Sequence, residues 1–278
     1  MGPKINKTGS APATNCAVRI NDTKTWRVPE ETPVAFIYNG RNFAVMLATP
    51  DNLEDFAIGF SITERIVDRL DDITEIDIVQ SPIGIDLKIK IAPDALTRLD
   101  IRQQRRNLVG RAGCGVCGIE NADVFFEKLP LVAPAPVTIA QQVLTKALGE
   151  FSNHQILNET TKTVHGAAFV SPLGEFISVR EDAGRHNALD KVLGSCILRA
   201  RDMTTGFIMM SSRCSYEIVE KAARCGIKAV ASISAPTAFA IRKADEANIA
   251  LYARDGNSFV AIGNLDHETN FVTDLDTE

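Results

Sequence analysis

No stretch of the 278-residue chain approaches eighteen consecutive apolar residues, so no helical membrane span is expected. Positive charge is not in excess. Thirty Lys and Arg stand against 35 Asp and Glu, a net charge of -5. That balance excludes a global attraction to nucleic acid, and an anionic ligand would need a local basic patch. Met1 to Asn15 lacks the apolar central segment of a secretory signal. Internal repeats and coiled-coil heptads are missing too. Six cysteines in a chain this long, with no export signal, do not suggest a disulfide framework. A cytoplasmic location is expected, and the question becomes which cysteines react.

What is present is a globular composition, 45% hydrophobic and 23% charged. Residues 1–16 read as a disordered tail and residues 267–278 as an acidic one. Pro130, Pro134 and Pro136 mark a domain boundary. It separates an N-terminal α+β domain over 17–130, ending in a cysteine loop, from a C-terminal α/β domain over 138–266. In the first, Val34 to Tyr38 and Phe43 to Leu47 predict a hairpin around Asn39-Gly40, which suits a type I′ turn. Thr49 and Pro50 predict the start of a helix with Leu53, Phe56, Ala57 and Phe60 on its apolar stripe. The alternation of Ile83, Ile85, Ile89 and Ile91 with Leu87 predicts a half-buried strand, and Asp94 to Leu108 reads as helical. In the second, Thr138 and Gln141 predict a capping box. Strands and helices then alternate to Ile262, which predicts an α/β layer with a largely parallel sheet.

Five segments carry candidate chemistry. In Gly113-Cys114-Gly115-Val116-Cys117-Gly118, three glycines surround two cysteines, and Arg105, Arg106 and Arg111 lie close in sequence. Positive charge favours the thiolate, the reactive form. The alternative is half of a zinc site, but no second cysteine pair supplies the other half. Arg180 to Lys191 packs Asp182, Arg185, His186, Asn187 and Asp190 before a helical pattern, too many polar types to enter a core unpaired. Ser211 to Glu217, with Arg213, and Ser232 to Thr237, with Ser234, each follow a strand and precede a helix, where hydroxyls and amides hold phosphate. Ordinary capping is the competing reading for both. Tyr252 to Asn257 places an arginine and a flexible backbone beside a ring, or is simply a hairpin turn. His165 is either a pocket residue or a satisfied core histidine. Cys16, Cys196 and Cys225 read as small buried residues.

Together these segments resemble the FdhD family, the accessory sulfurtransferases of formate dehydrogenase, from about residue 18 to about 265. Leu53 to Phe60 is similar to its first helix and Cys114-Gly115-Val116-Cys117-Gly118 to its sulfur-carrying loop. Glu181 to Lys191 is the most specific match, followed by Arg213 with Ser215-Tyr216-Glu217 and by Ser232 to Thr237. The resemblance implies that a cysteine desulfurase hands sulfur to Cys114 and that the persulfide sulfurates a molybdenum or tungsten bis-molybdopterin guanine dinucleotide, with Cys117 assisting. It puts the cofactor-binding stretch on Tyr252, Ala253, Arg254, Asp255, Gly256 and Asn257. Arg185, His186, Asn187, Arg213 and Ser234 complete that set. It also implies a second domain built as a three-layer α/β sandwich like cytidine deaminase, a homodimer, formate dehydrogenase as partner, and no tightly held metal. The chain departs from the family's pattern where glycines are usual, at Arg65, at Lys162-Thr163 and at Ser212; Cys214 and the Asn257-Ser258 pair also differ.

Rival readings remain. A zinc deaminase needs a His-x-Glu unit followed by Pro-Cys-x-x-Cys; the residue two after His165 is Ala167, and the cysteine pair precedes it. A non-enzymatic chaperone that binds cofactor or metal, and a thiol-disulfide oxidoreductase, are the others.

Overall fold

The computed structural model describes residues 2–21, 24–97, 128–132 and 138–263. The Cys114 and Cys117 loop, the helical segment expected beyond residue 97, the boundary at 133–137 and the acidic tail lie outside the described residues.

The N-terminal half is a five-stranded sheet. Its strands are β1 (Lys4–Gly9), β4 (Thr32–Tyr38), β5 (Arg41–Ala48), β6 (Ile73–Ser81) and β7 (Gly84–Ile91), in the order β1-β6-β7-β4-β5. The predicted hairpin is β4–β5, and both turn residues have positive φ, 48° at Asn39 and 81° at Gly40. A separate two-stranded ribbon joins β2 (Asn15–Asn21) to β3 (Lys24–Pro29). The expected disordered tail is corrected here. Lys4–Gly9 pairs in parallel with β6, because β6 offers an open edge, Ile5 packs against the core and Asn6 reaches Glu75 and Asp77.

Helix α1 (Leu53–Thr63) lies over this sheet. It starts three residues later than Thr49 would set it, with Asn52 at the cap in the left-handed region and no side-chain cap. Phe36 of β4 stacks on Phe60 at 4.0 Å and meets Phe56 edge-on at 5.0 Å. Burying each such ring contributes about 2–3 kcal/mol. Nearly every α1 side chain is buried, which a helix covered on one side only would not show. The second cover is α4 (Arg185–Leu198) of the C-terminal half.

That half is a six-stranded sheet of β8 (His165–Val170), β9 (Phe176–Asp182), β10 (Phe207–Arg213), β11 (Ala229–Ser234), β12 (Ala250–Asp255) and β13 (Ser258–Ile262), ordered β13-β12-β11-β10-β8-β9. Its helices besides α4 are α2 (Gln141–Phe151), α3 (Ile156–Thr161), α5 (Tyr216–Arg224) and α6 (Ala238–Glu246). Both faces are covered, and the strands read accordingly. Phe169, Ile208, Met210 and Val230 face α4, α5 and α6, while Ala168, Met209 and Ala231 face α2. The result is a three-layer α/β arrangement. The sheet is mixed, not largely parallel: β10–β11 and β11–β12 are parallel, and the other three pairings are antiparallel. The β8–β9 and β12–β13 neighbours are hairpins joined by short turns, and short turns make antiparallel pairs.

The expected capping box does not form either. Ala140 occupies the cap of α2, and the Gln141 amide instead donates across to Ser258 Oγ and the Phe259 carbonyl. Arg65 and Lys162, two positions where the resemblance leads one to expect glycine, both adopt φ 60°. Glycine suits that region, and these side chains occupy it at a cost.

Candidate functional site

Strand direction collects the candidate residues at one edge. β10, β11 and β12 run parallel, so their carboxyl ends coincide. β8 opposes β10 and β9 opposes β8, so the start of β8 and the end of β9 come to the same edge. His165 pairs with Asp182 there, and Arg213 pairs with Ser234. Arg185, His186 and Asn187 open α4 just beyond β9, and Arg254, Asp255, Gly256 and Asn257 close β12. Ligands bind at such carboxyl-end crevices in open α/β sheets.

A buried frame holds the edge. Asp182 is fully buried and accepts four hydrogen bonds, from Thr49 N at 3.0 Å, Lys191 Nζ at 2.6 Å, Gly184 N at 2.8 Å and Asn187 Nδ2 at 3.0 Å. Lys191, also fully buried, donates again to the Thr49 carbonyl at 2.8 Å. Asn187 gives its other bond to the Leu47 carbonyl at 2.9 Å. The side chain of Asn187 is thus committed to joining the two halves. A second cluster lies along α4, where Lys221 donates to both oxygens of Asp190 at 2.9 Å, to Thr63 at 2.9 Å and to Glu64 at 3.0 Å. Burial pushes Asp190 up to about 6, against the pull of Lys221, and that ion pair holds Lys221 protonated. On the other flank of α1, Arg180 forks onto Asp55 Oδ2 at 2.8 and 2.7 Å. Apart from the local bonds of Gly184 and Asn187 to Asp182, these partnerships were not legible beforehand, because they join residues more than 120 positions apart or place a lysine in a core.

His186 stands apart from the frame. Its Nε2 is buried without a hydrogen-bond partner, 3.9 Å from Glu217 Oε2. Burial, and then the Arg185 guanidinium, push its pKa down to about 4, so the imidazole is neutral near pH 7. Burial and Arg185 depress His165 as well. Glu217 is held below the usual carboxylate range; burial opposes this, while a hydroxyl and an amide at the start of α5 and the charge of Arg185 outweigh it.

The predicted residues do not share one cavity. Arg185 and His186 belong to the face covered by α4. Arg254 and Asn257 line a cavity of about 390 Å³ on the opposite face, with Ile233 of β11 and Thr145, Ser152 and Gln155 from the α2 side. Tyr252 points toward α2 and its hydroxyl accepts the Ile139 N–H at 3.0 Å, and Ala253 is buried. Arg254 donates from Nε to the Gly256 carbonyl at 2.7 Å, fixing the turn. Sequence reasoning missed Gln155, Ser152 and Thr145, which sit in polar stretches with no local signal. Elsewhere the capping reading holds at one segment only: Thr237 Oγ1 accepts from Ala240 at 3.2 Å, whereas Ser215 stands at the cap of α5 without a side-chain bond and Ser211 Oγ accepts the Gly166 N–H of the neighbouring strand at 2.8 Å.

Among the described cysteines, Cys16 is exposed, contrary to the expectation of burial, because its ribbon carries no layer over that face. Burial pushes Cys196 and Cys214 up to about 12, which leaves both thiols inert near neutral pH. No group of three or more His, Cys, Asp or Glu among the described residues is gathered to hold a metal ion.

The FdhD/NarQ family model matches residues 29–260. The chain belongs to the FdhD/NarQ family. It is 46% identical over 236 residues to the sulfur carrier protein FdhD of Xanthomonas euvesicatoria, covering 84% of this chain and 83% of that one. It is 43% identical over 243 residues to the sulfur carrier protein FdhD of Bordetella petrii, covering 86% and 85%. Its fold matches a crystal structure from Desulfotalea psychrophila, described as a formate dehydrogenase accessory protein, with a TM-score of 0.66 over 91% of this chain and 96% of that one at 24% identity. The Desulfotalea match speaks for the fold of this FdhD/NarQ member. Among its described residues no helix is long and apolar enough to cross a membrane.

Proposed function

We propose that this FdhD/NarQ protein carries sulfur on Cys114 for the maturation of formate dehydrogenase. The observation that carries the reading is likeness over most of the chain to proteins named sulfur carrier protein FdhD, in a sequence that keeps Cys114-Gly115-Val116-Cys117-Gly118. The Cys114 thiolate attacks the terminal sulfur of a cysteine desulfurase persulfide. A new S–S bond forms at Cys114, and the desulfurase cysteine leaves as thiolate. Attack by the Cys117 thiolate on the inner sulfur then releases the outer one as hydrosulfide and leaves a Cys114–Cys117 disulfide, which an external thiol reduces. The acceptor is a bis-molybdopterin guanine dinucleotide of molybdenum or tungsten, held as substrate. In support stand the strand-end edge, with Arg185, Arg213, Ser234 and Arg254 available for anionic oxygens, and the cavity beside Asn257. The family resemblance adds action in the cytoplasm as a homodimer.

The test is incubation with a cysteine desulfurase and cysteine, followed by intact and peptide masses without reductant. Added sulfur on the loop peptide, absent from Cys114→Ala, is the expected result. No added sulfur with a competent desulfurase removes the carrier reading and turns attention to a cofactor- or metal-binding chaperone.

A further inference from the structure

Release of sulfur from a loaded carrier needs a proton. The outer sulfur of a persulfide is acidic and stands as an anion near neutral pH. Expelled as it stands, it would leave as a sulfide dianion, a very poor leaving group. With one proton the step balances: Cys117 thiolate, Cys114 persulfide anion and H⁺ give the Cys114–Cys117 disulfide and HS⁻. The Cys117 electron pair makes the new S–S bond, and the pair of the old bond leaves with the outer sulfur. An acid at the place of delivery must supply the proton.

His186 has the placement for that task. It is the second residue of α4, and Glu217 is the second residue of α5, so two helix starts bring them together. Nε2 is buried without a hydrogen-bond partner, 3.9 Å from Glu217 Oε2. The side chain is nonetheless 21% exposed, and of its two nitrogens only Nε2 is enclosed in this way. One nitrogen thus faces a carboxylate inside, and Nδ1 is left for the edge. Glu217 keeps its charge near neutral pH. A carboxylate behind an imidazole fixes the ring and stabilises the imidazolium, the form that gives up a proton.

The charges around the ring decide when it holds that proton. Burial opposes it, as do Arg185 on the same helix and Lys221 on α5, whereas Glu217 and Glu64, just beyond α1, favour it. The positive end of α4 adds to the opposition. Lys221 is committed to Asp190, Thr63 and Glu64. Arg185 keeps its Nε buried without a partner. A guanidinium in that position favours an anion beside it. An anionic acceptor there matches the charge that opposes protonation, and Glu217 remains to favour it.

We propose that His186, backed by Glu217, is the acid that protonates the outgoing sulfur. It takes a proton from solvent onto Nδ1, gives it to the outer sulfur and returns to neutral imidazole. This rests on the reading that Cys114 carries the sulfur and that the acceptor is taken at the strand-end edge.

The experiment loads Cys114 with a cysteine desulfurase and cysteine, removes both, and follows hydrosulfide release without external thiol from about pH 5 to about pH 8. Cys117→Ala gives the background. Wild type, His186→Gln and Glu217→Gln are compared, with melting curves for each. His186→Gln loads within about twofold of wild type and releases at least about tenfold more slowly, and added imidazole restores part of the rate. Glu217→Gln moves the rise in release to lower pH, because the carboxylate that favours the imidazolium is gone. Release by His186→Gln at the wild-type rate overturns the inference. So does a slow variant that imidazole does not rescue, since a merely structural histidine behaves that way. If His186→Gln does not fold, Glu217→Gln decides, and an unmoved pH profile overturns the inference. Wild type that fails to load sinks the carrier reading and this inference with it; loading followed by release indifferent to His186 sinks the inference alone.

Discussion

Gly59 of α1 and Gly194 of α4 interlock backbone to backbone. A β-carbon at Gly59 would sit 1.8 Å from the Asp190 carbonyl oxygen, and one at Gly194 would sit 1.9 Å from that of Asp55. The two halves of the protein meet at this crossing, and the Asp190 and Asp55 ion clusters flank it. Gly194→Ala forces the helices apart. The expected loss is about 3 kcal/mol or more, read as a drop in urea midpoint, since overpacking of this kind costs roughly 1–3 kcal/mol and backbone cannot step aside as a side chain does. A loss under about 0.5 kcal/mol would show that the helices separate freely.

Lys191→Met leaves the Asp182 carboxylate buried without its cation. Breaking a buried pair on one side costs roughly 3–5 kcal/mol, and Asp182→Asn belongs in the same range. The double variant loses less than the sum of the two singles, because the second change removes the orphaned charge. Denaturant melts of the three variants check this, and strict additivity would mean that the two groups do not interact.

Acid sensitivity follows from His186. Its folded-state pKa of about 4 lies below the ordinary 6.5, so between those values the unfolded chain binds the extra proton. Its contribution is present above pH 6.5 and lost as pH falls toward 4, up to about 3 kcal/mol in all. Asp190, raised from 3.8 to about 6, slopes the opposite way, but wild type and His186→Gln share it. The stability difference between these two proteins, measured at a series of pH values, therefore changes across this window. A constant difference from pH 7 to 4 would contradict the assignment.

Lys162 ends α3 in the left-handed region with φ 60° and an exposed side chain. Lys162→Gly relieves that strain and raises stability by up to about 1 kcal/mol, despite the flexibility that glycine adds to the unfolded chain. Thermal melting measures it, and a lower melting temperature would mean that the lysine side chain does more than fill a turn.

Local chemistry was readable and long-range chemistry was not. Asn39-Gly40 declared its turn because few residues accept positive φ, and Leu87 between Ile85 and Ile89 declared its strand through period two. Thr49 misled, since a hydroxyl before an apolar run signals a cap, whereas here it accepts from Ala183 at 3.1 Å across the domain contact. Lys4–Gly9 was invisible because its one apolar residue, the half-buried Ile5, carries no period, and its order derives from an edge 71 residues away. Arg185, His186, Arg213, Ser234 and Arg254 were each marked by polar residues at strand ends. Their division between two faces of one sheet depends on which helices cover which side, and no single segment encodes that. Gln155 carries no mark at all, because it sits in a polar stretch with no local signal.

The parallel pairing of β1 with β6 has a consequence for synthesis. Lys4–Gly9 leaves the ribosome well before its partner Ile73–Ser81, and has that strand to pair with only once it emerges. The hairpin β4–β5 closes with only two residues between its strands and needs no such wait. The order of assembly is therefore not the order of translation. The amino-terminal strand is held extended and idle while a sheet forms without it, and it is laid onto the rim as one of the last pieces of that sheet, the part most open to a chaperone or a protease until then.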